Sequence, residues 1–292
     1  HNINCLITTA PPFSVHLIGL NIKKATNVKW ISDFRDPWSD FFQLKLLPLL
    51  TFQIKRHAKA ERQCLKFSNA VLTTSPTLTS KYSKVNENSH TVFNGFDSFI
   101  KLKDSNKFLF MYSGVMKSVQ NPKNLWYVLE EISKENKSFF QDLKVRIIGD
   151  IDDEVKSELN GKLIESKVKF EKYLEREELD KEISKSKILI LSSVNLDSVD
   201  NIIPGKLYYY FSIKRPILGF SSINSDVSEI IKKTNSGRVF DYSNKIDLKN
   251  HILELYNNYK TGASDFKPSD LNHYTFDALS DQIIKILNKT IN

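Results

Sequence analysis

The chain has 292 residues, long enough for two domains, and 42 Lys+Arg against 34 Asp+Glu leave a net charge of +8. With 40% hydrophobic and 26% charged residues it can bury a core and has no disorder signature. Two cysteines, Cys5 and Cys64, exclude a disulfide scaffold and a cysteine-rich zinc site, and a reducing, cytoplasmic setting fits them best.

Ile3 to Thr8 reads as the first strand, with no charged leader before it, and the first residue is His1 rather than Met. Strands follow at Val28 to Ser32, Ala70 to Thr74 and Thr91 to Phe93; helices are predicted at Phe13 to Lys24, Leu44 to Phe67 and Pro76 to Lys84. Asp97 to Lys107 is polar, has no clear period and is taken as a linker. A second series places strands at Phe108 to Tyr112, Val145 to Ile148, Val168 to Phe170, Ile188 to Leu191, Pro216 to Phe220 and Gly237 to Phe240. Helices between them include Asn124 to Glu135, Arg176 to Ser186, Gly205 to Ile213 and Val227 to Thr234. Strand and helix alternate, the signature of parallel sheets covered by helices. The final helix, Phe276 to Leu287, has one apolar face formed by Phe276, Leu279, Ile283, Ile284 and Leu287.

These elements predict an α/β chain with a partial N-terminal domain over 1–107 and a complete one over 108–292, the last helix packing back on the former. The greasy run from Phe41 to Ile54 is too short and too interrupted for a membrane span, which takes about 20 apolar residues.

Five stretches carry candidate chemistry. Ser32-Asp33-Phe34-Arg35-Asp36-Pro37-Trp38 follows a strand, where open α/β sheets collect their ligands. Arg35 and Asp36 could orient an acceptor hydroxyl or contact a phosphate, or the loop could be an internal Arg–Asp clamp. Thr9 to His16 runs from a strand into a helix N-terminus, suited to an anion, with His16 either at that site or structural. In Tyr112-Ser113-Gly114-Val115-Met116-Lys117, Gly114 permits close approach of a diphosphate, and Lys117 or Lys123 could neutralise it, although the stretch lacks GxGxxG spacing. Pro204-Gly205-Lys206 opens a helix with a cation at its start, followed by three tyrosines that cannot share one face. Leu44 to Phe67 turns from apolar to basic, through Lys55, Arg56, Lys59, Arg62 and Lys66; it is either a core helix with a solvated face or a contact for an anionic membrane surface. No nucleic-acid-binding motif is present, and no nucleic-acid partner is expected.

Taken in order, these stretches together with Glu61 to Ser75, Phe93-Asn94-Gly95, Ile147-Ile148-Gly149 and Lys214-Arg215-Pro216 resemble GT-B glycosyltransferases of the retaining, nucleotide-sugar-dependent kind. The resemblance is to the family 4-like, bacterial branch that builds surface polysaccharides, and it covers nearly the whole chain. It implies two Rossmann-like domains with the active site in the cleft between them, and a first domain that begins partway through. It also implies a nucleotide-sugar donor on the C-terminal domain, a glycan or lipid-linked acceptor on the N-terminal one, and no metal or other cofactor. Asp36, Arg35 and His16 would serve the acceptor side as catalytic residues; Gly114, Lys117, Gly205, Lys206, Tyr209 and Asn201 would bind the donor. The chain departs from the pattern at Tyr209 and Asn201, where the resemblance expects glutamates, so a carboxylate contact to the donor ribose is lost. The resemblance therefore leaves three readings: a cytoplasmic glycosyltransferase, peripheral on the membrane; a weakened GT-B-like protein that binds a glycan or a partner; and a nucleotide-sugar epimerase.

Overall fold

The computed structural model describes residues 3–41, 47–103, 107–195, 202–263 and 266–291. The chain divides into two compact units, one of His1–Gly95, Asn201–Ile203 and Asn272–Asn292, the other of Phe96–Asp200 and Pro204–Leu271.

The first unit contains a parallel sheet in the order β1 (Cys5–Ala10), β2 (Lys29–Phe34), β3 (Ala70–Thr73), β4 (Ser89–Thr91). Alternation along β2 divides its core in two. Trp30 and Phe34 join Leu20 of α1 (Ser14–Thr26), Cys64 and Leu65 of α2 (Thr51–Phe67) and Leu78 and Tyr82 of α3 (Pro76–Ser83). Ile31, on the other face, meets Leu279 and Ile286 of the last helix (Phe276–Ile291). That helix packs through Leu279, Ile283, Ile286 and Leu287, while Phe276 and Ile284 face outward. The stripe is thus rotated from the predicted one, and the spacing i, i+4, i+7, i+8 is that of a single helical face.

β1 and β2 end two residues later than predicted, and β4 and α2 also differ from the sequence reading. β4 ends at Thr91, although Val92 N–H still donates to Thr73 O at 2.8 Å. α2 starts at Thr51, beyond Pro48, a residue that disfavours helix in the position before it; residues 42–46 lie outside the described residues. The five basic residues of α2 are exposed, as are Phe52 and Ile54 near its start.

The second unit is a six-stranded parallel sheet in the order β10-β9-β8-β5-β6-β7. Its strands are β5 (Phe108–Ser113), β6 (Leu143–Ile148), β7 (Val168–Glu171), β8 (Ile188–Ser192), β9 (Ile217–Phe220) and β10 (Gly237–Phe240). β5 is buried at every position, as a central parallel strand covered on both faces must be. The chain runs outward from β5 through β6 and β7, then returns to β8 on β5's other side, so the order reverses between β5 and β8. The predicted strands of this unit are all present. Helices α4 (Lys123–Glu135), α7 (Arg176–Ile183), α8 (Lys206–Ile213) and α9 (Asp226–Lys233) match the reading closely. The structure adds α5 (Lys137–Asp142), α6 (Asp153–Ser157) and α10 (Ile246–Thr261), and the last helix above is α11. α10 buries only Leu248, Ile252 and Tyr256, a stripe too thin to stand out among its polar neighbours. Among the described residues no helix is long and apolar enough to cross a membrane.

One buried carboxylate organises the loop after β2. Glu61 of α2 is 5% exposed and shares the buried stripe with Cys64 and Leu65. Its Oε1 accepts from Trp38 N–H at 3.1 Å and from the Tyr82 hydroxyl at 2.5 Å, and Oε2 accepts from the Ser39 hydroxyl. Buried donors left without an acceptor are costly. Glu61→Ala should therefore lower unfolding stability by about 2–4 kcal/mol, with Glu61→Gln milder because it keeps an acceptor oxygen. Urea unfolding monitored by tryptophan fluorescence checks the order; equal stability of the alanine variant and the wild type would contradict it.

Candidate active site

Open α/β sheets bind ligands beyond the carboxyl ends of their strands, where the strand order reverses. In the second unit that point is the end of β5. Gly114 has φ +111°, a conformation that favours glycine, and its N–H donates to Ile148 O at the end of β6 at 2.8 Å. Gly149 has φ +136°, and a Cβ there would lie 2.2 Å from Gly114 O. The two turns are in backbone contact and admit no side chain at Gly149. Ser113 N–H donates to the buried Tyr210 hydroxyl at 3.0 Å. The loops on either side of the reversal are joined by Ser192 Oγ to Gln120 O and by Asn195 N–H to Val119 O.

Lys206 stands over this turn. Its Nζ donates to the Tyr112 hydroxyl, lies 3.8 Å from that ring's centroid, and would be 3.4 Å from a Cβ on Gly114. No carboxylate among the described residues is within ion-pair distance of it, and burial pushes its ammonium down to about 7. Lys206 opens α8, where Leu207 N–H donates to Pro204 O at 2.9 Å, so the preceding amides lie at a helix N-terminus. Gly205 there is exposed, with open space where a Cβ would stand.

The structure thus brings Gly114 and Lys206 together and treats the other predicted donor residues differently. Lys117 is exposed and ion-paired to Asp150 at 3.2 Å and Asp152 at 3.1 Å. Lys123 lies 3.6 Å from Glu154. Tyr209 turns toward α7: its hydroxyl donates to Asp180 at 2.6 Å, and the Arg176 guanidinium sits 4.0 Å from its ring centre. Of the three successive tyrosines, Tyr208 and Tyr210 are buried and Tyr209 is the one facing away from the core. Asn201 lies outside the described residues.

In the first unit, the loop after β2 is held from several sides. Arg35 donates to the Asn94 side chain and lies 3.6 Å from Asp33; its N–H donates to Ala10 O at 3.1 Å, and its carbonyl accepts from Thr74 at 2.7 Å. The internal clamp expected from the sequence therefore exists, between Arg35 and Asp33. Asp36 is half-buried; burial raises its carboxyl above the ordinary aspartate value and Arg35 opposes that rise. Trp38 stacks on Phe13 at 5.4 Å and donates from Nε1 to His57 Nδ1 at 3.0 Å. Sequence reasoning missed Asn94 and Glu61 as partners of this loop; for Glu61 the signal was available, since it shares a helical stripe with Cys64 and Leu65.

His16 takes the structural of the two places that the sequence left open, away from the catalytic role that the resemblance implied. It is wholly buried, its ring centre 4.1 Å from Phe34, and its Nδ1 is 2.8 Å from Thr8 Oγ1, which also accepts from Trp30 Nε1 at 2.9 Å. A threonine oxygen that accepts the indole N–H can give its own proton to Nδ1, leaving the ring proton on Nε2, an atom with no hydrogen-bond partner among the described residues. Burial pushes the imidazolium pKa down to about 4, so the ring is neutral near pH 7.

The sign of the resulting pH dependence follows. The folded value of about 4 lies below the ordinary 6.5, so this histidine's contribution is complete above pH 6.5 and is lost as pH falls toward 4, by about 3 kcal/mol in all. Proton NMR of the ring should show no titration between pH 8 and pH 5; a midpoint near 6.5 for His16 would contradict the burial argument.

Residues 94–265 match the model of the family described as glycosyl transferases group 1. No curated protein matches the chain. Among solved structures, sucrose-phosphate synthase from Thermosynechococcus elongatus superimposes with a TM-score of 0.69 at 11% identity, over 98% of this chain and 73% of that one. TarM gives 0.68 at 17% identity over 97% and 54%, so this chain spans about half of its length. The apo form of the lipopolysaccharide outer core galactosyltransferase WaaB gives 0.65 at 15% identity over 98% and 75%. These likenesses establish the two-sheet GT-B fold. The family model spans more than half of the sequence and includes the turn under Lys206, and the chain belongs to the glycosyl transferases group 1 family.

Proposed function

We propose that the protein transfers a sugar from a nucleotide diphosphate-sugar to a surface-glycan or lipid-linked acceptor. The observation that carries this reading is the Cβ-free turn of Gly114 and Gly149 beneath the Lys206 ammonium, which suits a departing diphosphate. Because the Ser113 and Gly114 amides already have acceptors, Gly114 contributes room, while Lys206 and the first amides of α8 contribute positive charge. That charge lets the proposed reaction run without a metal. Two proteins of this fold have been solved with UDP, an S. aureus TarM mutant in complex with Fondaparinux, alpha-GlcNAc-glycerol and UDP, and S. aureus MnaA, which supports a nucleotide as a ligand here.

On the acceptor side we assign the half-buried Asp36 to accept a hydrogen bond from the acceptor hydroxyl, with Arg35 fixing its loop. His16 acts beneath them by packing against Phe34 rather than by proton transfer. A second reading, a weakened enzyme that binds a donor or glycan without turnover, is favoured by one observation: the Tyr209 hydroxyl is committed to Asp180, and α8 offers no carboxylate at that position for a ribose.

Lys206 also dictates how donor binding varies with pH. Its ammonium is lost above about pH 7 in the donor-free protein, so UDP should bind tightest below pH 7 and weaken by up to about tenfold per pH unit above it. Calorimetric titration with UDP checks this: Lys206→Met should bind weakly and without that slope. A wild-type affinity flat from pH 6 to 9 would overturn the assignment. Turnover with a panel of UDP-, GDP- and dTDP-sugars supports transfer. UDP binding without turnover supports the weakened enzyme, and a changed sugar without acceptor supports epimerisation.

We also infer that α2, with Lys55, Arg56, Lys59, Arg62 and Lys66 exposed beside Phe52 and Ile54, contacts an anionic membrane surface. Co-sedimentation with vesicles should favour anionic over neutral lipid at low salt and lose that preference at high salt; equal binding to both would refute it.

A further inference from the structure

One side chain holds Lys206 in place, and sugar transfer as described so far gives it no role. Tyr112 is wholly buried in β5, directly before Ser113 and the Gly114 turn. Its hydroxyl donates to Val115 O at 2.5 Å, bridging that turn, and its oxygen accepts from Lys206 Nζ. A carbonyl can only accept and an ammonium can only donate, so the hydroxyl proton lies toward Val115 and a lone pair faces Lys206. Nζ is also 3.8 Å from the centre of the Tyr112 ring, and an aromatic face attracts a cation. The other hydrogen bond of Lys206 among the described residues is long, 3.5 Å to Val115 O.

A different residue secures the backbone of α8 to the same turn. Tyr210, four positions after Lys206 and so on the same helical face, is buried and accepts from Ser113 N–H at 3.0 Å. That contact places the start of α8 but not the tip of a lysine side chain, which is flexible and ends in a strongly hydrated ammonium. Without a partner the ammonium would turn outward to water. With one N–H given to Tyr112 and a second weakly to Val115, a third remains for a phosphate oxygen.

We propose that Tyr112 is a positioning residue of the donor site: its hydroxyl and ring hold the Lys206 ammonium above Gly114 before a donor arrives. The diphosphate then meets a cation already in place, and less side-chain freedom is lost on binding. This role rests on the donor reading of the Gly114 turn, whereas the hold of Tyr112 on Lys206 exists without a donor. The titratable groups packed around the pair are Tyr210 and Tyr242, whose hydroxyls burial pushes up to about 12, and no carboxylate lies within ion-pair distance of Lys206 among the described residues. Near neutral pH the protonation of Lys206 therefore reports on its contact with Tyr112.

The test starts with the full, donor-free chain. Competitive acetylation across the neutral pH range, read peptide by peptide by mass spectrometry, gives the protonation midpoint of Lys206, with the exposed Lys117 as internal control. Removing an acceptor disfavours the ammonium, so Tyr112→Phe should lower the Lys206 midpoint below that of the wild type. Tyr112→Leu, which also loses the ring, should lower it further, and neither should move Lys117. Tyr112→Phe keeps the core packing and decides the outcome if the leucine variant does not fold. Calorimetric titration with UDP at pH 6 should then show binding weakened about threefold to tenfold in Tyr112→Phe. In a chain that already carries Lys206→Met, the same substitution should have no further effect, because Tyr112 acts through Lys206. An equal loss in both backgrounds would overturn the proposal and leave Tyr112 as a fastener of the turn. So would an unmoved Lys206 midpoint, or UDP affinity equal to the wild type. Failure of the wild type to bind UDP, with the Lys206 midpoint still falling in Tyr112→Phe, would support the hold on Lys206 and count against the donor site alone.

Discussion

The backbone contact between Gly114 and Gly149 is the constraint on which the candidate donor site depends. A Cβ at Gly149 would lie 2.2 Å from Gly114 O, and Gly114 N–H reaches across to Ile148 O. That approach leaves no room for a side chain at Gly149 and sets the Gly114 turn beside the Lys206 ammonium. A lysine placed there, with no carboxylate partner among the described residues, is costly to protonate, since burial opposes its charge. A dianionic ligand would remove that cost by supplying the missing countercharge. The same geometry that makes the donor-free site unfavourable for an ammonium thus makes it favourable for a diphosphate.

The first unit solves a different problem, how to hold a charged loop rigid at the end of a strand. It does so with buried polar contacts rather than with apolar packing alone. Glu61 gathers four donors from Trp38, Ser39 and Tyr82, and Arg35 is gripped through both its side chain and its backbone. Below them, Thr8 links His16 to Trp30. Each contact joins residues far apart in sequence, so the loop is fixed only when β1, β2, α2 and the chain near Asn94 are all in place. Asp36 is a carboxylate that this framework leaves half-buried, the condition under which a carboxyl can meet a substrate hydroxyl.

Much of the fold was legible in the sequence because it rests on local periodicity. Continuous apolar runs such as Phe108 to Tyr112 and Ile188 to Leu191 mark buried parallel strands, and β10 coincides with its predicted bounds. Where the apolar stripe is thin, as in α10, the signal failed, and at the start of α2 it was misread across Pro48. The contact of Lys206 with the Gly114 turn, the heart of the candidate site, was legible because a glycine turn and a helix start announce themselves. The site was not legible at Lys117, His16 or Tyr209, whose partners Asp150, Asp152, Thr8, Phe34 and Asp180 are set by tertiary placement.

Hydrogen exchange of the backbone amides with and without UDP tests the central claim most directly, because it reports where the nucleotide sits whether or not sugar is transferred. Occupancy of the turn beneath Lys206 should slow exchange in 112–116 and 204–208, and leave the first unit's loop at 33–38 unchanged. Protection confined to other segments, or none at saturating UDP, would contradict the placement of the donor at Gly114, Gly149 and Lys206.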